Sequence, residues 1–302
     1  MLIPCLSFIN KTNKSTAVSS SGTVKILLRK ENKVIKMSME DYLVGAVLSQ
    51  MPADFEPQAL KAQAVLAHTY IISRQQAEKS GKTENLKGAD LSDDTSLYQS
   101  YFTKEQAEKF YGDDYSTALN KVSKAVKSVK NKIVTYENEP IIVAFHAVSC
   151  GVTESAKDMW DVDVPYLISV DSQWDKKNSG FEKTTKFTAN ELSKLLSKHF
   201  KSIDTKLKKG SIKVNKLTDN GSVISVKING TNVSGTEFST ALSLPSPCFS
   251  IALKNGSYVI KTKGCGHLVG MSQFGANAMA KDKKTYADIL SHYFPNTKLK
   301  DL

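Results

Sequence analysis

Apolar residues recur at helical spacing from Met39 onward, with Met39, Leu43, Ala46 and Val47 on one face, and that periodicity predicts a helix. Pro52 ends it, because a proline disfavours helical geometry in the residue before it. Asp54 or Glu56 then offers a cap, and Pro57 suits a first helical turn, where no backbone donor is needed. Leu60, Ala64, Ala67 and Ile71 line one side of a second helix, whose small residues allow close packing. The pair reads as two helices broken at one sharp corner. Gln50, at the end of the first, is then held at a fixed, exposed point where a fold can place chemistry.

Elsewhere the spacing switches between two and three to four. Residues 24–28 and 34–37 alternate around Glu31, Asn32 and Lys33, which predicts a hairpin leading into the first helix. Residues 80–101 are polar and glycine-containing, a predicted loop, and residues 104–110 and 115–129 return to helical spacing. The stretch KIVTYENEPIIVAFHAVSCG predicts a strand, a turn, and a second strand buried on both faces that delivers His146, Ser149 and Cys150 to its end. Residues 163–175 read as extended. A helix follows over residues 187–200, with Thr188 and Glu191 as a capping box, then a hairpin around Asp219, Asn220 and Gly221. A last strand at 258–262 runs into a glycine-rich turn, and a final helix starts near Thr285 with Asp288 in its third position. This mixture predicts an α+β fold, with helices and short antiparallel strands around one substrate cleft.

Composition narrows the partners more than the fold. The 302 residues can bury a full core, and 41 Lys and Arg against 30 Asp and Glu leave a formal charge of +11, which favours anionic polymers. The positive charge is mostly lysine, spread along the chain with a cluster over 206–209, without the basic and aromatic interleaving that stacks bases, so no nucleic-acid partner is expected. The apolar start MLIPCLSFIN is too short to span a bilayer and resembles the trailing end of a signal or anchor. Residues 1–22 are therefore expected to be a flexible tether and 23–302 the working domain, with room for a small inserted lobe around 80–130. The four cysteines, Cys5, Cys150, Cys248 and Cys265, show no close pairing. Two of them could form one disulfide in an exported protein, but the spacing names no pair.

The richest chemistry lies near the C-terminus. Gly264, Gly266, Gly270 and Gly275 share one loop-to-helix transition with His267, Ser272 and Gln273, so the backbone there must turn tightly or approach something closely. It lacks the Gly-Lys-Ser/Thr ending of a phosphate-cradling loop. His146 and Cys150 from the strand end, with Cys265 and His267 from the turn, offer soft ligands suited to zinc. The alternative reading, two buried thiols and two hydrogen-bonded imidazoles, is favoured, since neither spacing is a recognised zinc pattern, and no cofactor is expected.

Three blocks carry a family resemblance. GHLVGMSQFGANAMA followed by TYADILSHYFPNTKL resembles the closing signature GHGVGMSQ-x-GA of the stage II sporulation protein D family. QMPADFEPQALKAQAVLAHTY resembles that family's EMP-x-x-F and EALKAQAVAARTY block, and FHAVSCGVTESAKDMW resembles its FH-x-x-SGG-x-TES segment. The resemblance implies a sporulation lytic transglycosylase that cleaves peptidoglycan glycan strands to anhydro-muramic ends during engulfment. It also implies an extracytoplasmic, membrane-associated or intermembrane location, and an amidase (stage II sporulation protein P) and a membrane protein (stage II sporulation protein M) as partners.

The departures from the family pattern fall on the chemistry. Gln50 stands where the family has its catalytic glutamic acid, and an amide can neither protonate a leaving oxygen nor take a proton back. Glu56 and Glu154 are the nearest substitutes in the sequence. The alternative is an inactive peptidoglycan-binding or scaffold member of the engulfment machinery. His146, Ser149, His267, Ser272, Gln273 and Tyr70 are expected to hold sugar groups, with Tyr98 and Trp160 as further stacking surface. Leu268 replaces a usual glycine and His68 a usual arginine.

Overall fold

The structure, a computed structural model, describes residues 22–207 and 210–302. The expected tether and Cys5 lie outside the described residues. The described residues divide into two compact units, one of residues 22–144 and 276–302 and the other within residues 145–275.

The first unit opens with the expected hairpin, β1 (Thr23–Leu28) and β2 (Lys33–Ser38), paired antiparallel from Thr23 with Ser38 to Leu28 with Lys33. Ser38 caps α1 (Met39–Gln50), its hydroxyl accepting from the amide of Asp41. Pro57 occupies the first turn of α2 (Pro57–Ser80); Glu56 is the N-cap residue but makes no side-chain cap bond. The spacing predicted one apolar face on each helix. The helices are instead buried nearly all round, over residues 42–48 and from Ala62 to Ile72, because α2 is surrounded. It packs against α1, α4 (Tyr115–Ser128), β4 (Lys132–Tyr136) and the late helix α9 (Tyr286–Tyr293). Such enclosure explains the alanines: Ala62, Ala64 and Ala67 let neighbours approach from several sides at once.

The predicted 80–101 loop holds a short strand, β3 (Leu91–Ser92), parallel to β1. The α3 helix (Lys104–Tyr111) follows, started by a Thr103–Gln106 capping box. The apolar run after β4 departs from expectation. Only β5 (Glu139–Pro140) and β6 (Phe145–His146) are strand, and Ile141, Val143 and Ala144 are buried in irregular backbone. An apolar run signals burial, and burial alone does not make a strand.

In the second unit β6 pairs in parallel with β13 (Met271–Ser272), setting His146 opposite Ser272. Between them α5 (Ala156–Trp160) is a short turn of helix, and Gln173–Lys177 is a 3-10 turn at the end of the stretch expected to be extended. β7 (Glu182–Thr188), β11 (Phe249–Lys254) and β12 (Ser257–Lys263) form one antiparallel sheet in the order β11-β12-β7. The hairpin of β8 (Ile212–Leu217) and β9 (Val223–Ile228) extends through β10 (Thr231–Ser234) into a second. The helices α6 (Ala189–His199) and α7 (Gly235–Ala241) contribute Leu192, Leu196 and Phe238 to the core these sheets share with Val226, Ile228 and Ile260. The α6 capping box is the expected Thr188–Glu191 pair. Returning to the first unit, α8 (Gln273–Lys281) spans the boundary, α9 starts with the expected Thr285–Asp288 box, and β14 (Lys298–Asp301) pairs with β4.

Candidate functional site

The proline corner places Gln50 at the last position of α1, half-buried at the mouth of an open pocket of about 720 Å³. Each end of its amide is held. The Nε2 donates to the Ser100 carbonyl at 2.7 Å, and Oε1 accepts from Gln63 Nε2 at 2.9 Å and from Gln99 Nε2 at 3.1 Å. A carbonyl oxygen accepts only from a donor, so the Ser100 contact fixes which end of the amide faces it. Gln63 reaches from α2, and Gln99 is held in turn by its backbone N–H donating to Tyr70 Oη at 3.2 Å. Tyr70 is thus a buried support of this corner, 5% exposed, and presents no face to a sugar. Tyr98 is likewise buried, beneath the Arg74 guanidinium.

The exposed ring is one the sequence reading passed over. Phe110 is 68% exposed, beside Phe102 and Tyr111 at centroid distances of 5.2 and 4.9 Å, and it lines the same pocket as Gln50. Tyr111 Oη donates to Leu48 O at 2.9 Å, tying this aromatic group to the end of α1. Two carboxylates, Asp54 and Asp114, also line the pocket, both exposed. The signal for Gln63 was present in the sequence, as a polar residue one turn along from Leu60 on an apolar helix. Gln99 and Phe110 carried none.

The other expected residues gather in the second unit. His146 is buried, its Nδ1 3.1 Å from Val269 O, and its Nε2 has no hydrogen-bond partner among the described residues. Its ring lies 5.8 Å from that of His267, which lies 5.4 Å from half-buried Trp160. Burial, then the neighbouring His267, lowers the pKa of His146 to about 3; burial lowers that of His267 to about 4. Both imidazoles are neutral at pH 7. Gly264 (φ +74°) and Gly266 (φ +106°) make this approach possible, since a Cβ on Gly266 would lie 2.7 Å from that of His146. Leu268, at φ +69°, holds a left-handed conformation that suits the glycine it replaces.

Ser149 and Ser272 are buried and converge on a group that sequence reading missed, Asp175. Its carboxylate accepts from Ser149 N at 2.9 Å, Ser272 Oγ at 2.8 Å and Ser172 Oγ at 2.9 Å, and burial raises its pKa against those donors. The cluster ties the turn after β6 and the Ser172–Lys177 turn to β13, and all its members are buried. Gln273, also buried, begins α8. Glu154 is fully buried, accepting from Thr218 Oγ1 at 2.9 Å and Asn220 Nδ2 at 3.3 Å. Glu56 stays in the first unit, its backbone N–H donating to Asn277. His68 fills its place by setting Nδ1 3.0 Å from Lys132 O. Among the described residues no group of three or more His, Cys, Asp and Glu is placed to hold a metal ion, and Cys150 faces Cys248 rather than the imidazoles. Gln50 belongs to the first unit, and His146, Ser149, His267, Ser272 and Gln273 belong to the second.

Fold and corner together define a mixed α+β protein organised on a helix–proline–helix bend. The chain belongs to the stage II sporulation protein D family. Residues 28–136 match the family model described as stage II sporulation protein. The chain is 38% identical to the stage II sporulation protein D of Bacillus amyloliquefaciens over 94% of this chain and 80% of that one. It is 37% identical to that of Bacillus subtilis (strain 168), over 96% and 85%. A more distant relative, the amidase enhancer of Bacillus subtilis (strain 168), is 28% identical over 85% of this chain and 40% of its own length. No helix among the described residues is long and apolar enough to cross a membrane.

Proposed function

We propose that this protein engages the glycan strands of peptidoglycan during engulfment, on the scaffold of a lytic transglycosylase whose cleavage step is silenced at Gln50. The observation that carries this reading is the bonding of the Gln50 amide. The Ser100 carbonyl demands a donor, so a glutamic acid at this position would keep a proton on the oxygen facing it, the state in which a general acid must wait. Gln50 supplies that donor permanently and releases nothing. Its amide occupies the place of a protonated acid, with the supporting Gln63, Gln99 and Ser100 retained.

What remains is a binding surface. Exposed Phe110 offers a flat apolar face to the C–H side of a pyranose, and the pocket beside it is of ligand size. The excess of lysine suits the anionic polymers of a wall. In this reading the protein presents strands to an amidase, with the sporulation proteins P and M as partners outside the cytoplasm.

The test compares the natural chain with Gln50→Glu on glycan strands stripped of peptides. The natural chain is expected to sediment with peptidoglycan and release no anhydro-muropeptides, and the variant to release them. Cleavage by the natural chain would mean that another acid operates. Failure of both to sediment would remove the glycan reading itself.

A further inference from the structure

Cys150 lies in the turn after β6, and Cys248 immediately precedes β11, 98 positions later in the chain. One edge of β12 brings them together. Lys263 N donates to Cys248 O at 2.8 Å, and two residues on, Cys265 N donates to Val148 O at 2.7 Å while Val148 N returns a bond to Cys265 O at 3.1 Å. The chain from Val148 therefore arrives on the same edge, next to the start of β11, and Gly151 turns it away at φ +101°. Cys150 Sγ donates to Val152 O at 3.3 Å and Cys248 Sγ to Gly221 O at 3.8 Å, and the two side chains are near enough for each thiol to shift the other's pKa. An open pocket of about 640 Å³ is lined by both, so a small oxidant can reach them.

We propose that Cys150 and Cys248 are a redox-responsive pair that closes to a disulfide on exchange with an oxidised, disulfide-bearing thiol compound. The Cys150 thiolate attacks one sulfur of that compound and expels its first thiolate. Cys248 then loses its proton, attacks the Cys150 sulfur of the mixed disulfide and expels the second thiolate. Two electrons leave the cysteine pair, two protons pass to the released thiols, and one disulfide is exchanged for another. The order follows from the environment. Once Cys150 is ionised, Cys248 can turn its S–H to that sulfur, which holds the Cys150 thiol below its ordinary pKa, while the same interaction and burial raise Cys248. Closing the bond staples the turn that carries Ser149, and through it Asp175, to the β11-β12-β7 sheet. None of this depends on the reading of Gln50.

The test is a thiol count on the full chain, which has four cysteines, after equilibration with oxidised glutathione or with dithiothreitol. Alkylation under denaturing conditions is expected to find two fewer free thiols in the oxidised sample, with one cross-linked peptide joining the Cys150 and Cys248 segments. The oxidised chain should melt several degrees above the reduced one, as closure of a long loop implies. Cys150→Ser, and separately Cys248→Ala, should abolish both the cross-link and the shift. Four reactive thiols after oxidation, glutathione persisting on Cys150 as a mixed disulfide, or either cysteine joined to Cys5 or Cys265 would overturn the proposal. The natural chain alone decides among these outcomes, whatever the variants do.

Discussion

The Gln50 corner and the Asp175 cluster are built from the same kind of bond and differ in what surrounds them. At Gln50 three hydrogen bonds orient a half-buried group at the mouth of a pocket, and an exposed ring stands beside it. At Asp175 the donors close round a fully buried carboxylate, leaving a junction that ties loops together. A polar group that is oriented and reachable can act on a ligand; one that is oriented and sealed mainly holds backbone in place. The sequence motifs treat Ser149, Ser272 and Gln50 alike, and burial separates them.

The sharpest way to break this comparison is to restore proton transfer at the open site. Gln50→Glu should raise strand cleavage by about 10² to 10⁴-fold over the natural chain's background, the usual contribution of a positioned general acid. The readout is anhydro-muropeptide release across pH, with a fall at high pH as the acid ionises. An unchanged rate would show that the corner has lost more than its acid. At the sealed site the large effect should be on stability. Asp175→Ala strands the Ser149 amide and two hydroxyls, and should cost about 3–5 kcal/mol in denaturant unfolding of the second unit. A loss below about 1 kcal/mol would mean that the cluster holds nothing.

The imidazoles supply a test of intermediate size. His146 and His267 have folded pKa values of about 3 and about 4, below the ordinary value near 6.5. The unfolded chain therefore binds more protons than the folded one as the pH falls from 6.5 toward 4. Stability that is complete above pH 6.5 should be lost on acidification, by roughly 1.4 kcal/mol per pH unit for each ring. Asp175 acts with opposite sign, because the cost of its burial as a carboxylate is present at neutral pH and fades as the pH falls through its raised folded value. Urea midpoints between pH 7 and 5 should decline, and His146→Asn should flatten the decline; a midpoint independent of pH would refute the neutral pair. The smallest effect belongs to Gln50→Ala, which should cost about 1 kcal/mol by thermal melting: it frees the buried Gln63 and Gln99 amides and the Ser100 carbonyl, but Gln50 itself lines an open pocket, so water can enter the space it vacates.

Several elements of both units were written locally. The Thr188–Glu191 and Thr285–Asp288 boxes and the Asp219–Gly221 turn depend on neighbours within four residues, and each stands where the spacing placed it. The strand expected through Ile141–Ala144 failed for the opposite reason. Its apolar composition fixed burial, but burial alone does not make a strand, and residues 141–144 fall between the short strands β5 and β6. The Pro52 corner and the identity of Gln50 were legible, as was the family.

What the sequence determined by itself was whatever a few adjacent side chains can decide: helix starts and stops, turn geometry, the amide at position 50, and motifs whose order along the chain reveals descent. The tertiary structure alone decided which polar residues face water. Tyr70, Ser149 and Ser272 became buried supports while Phe110 was left exposed, and Cys150 met Cys248 rather than the nearby imidazoles. Burial and distant pairing are set by everything that packs around a residue, and that surrounding is assembled from segments far apart in the chain.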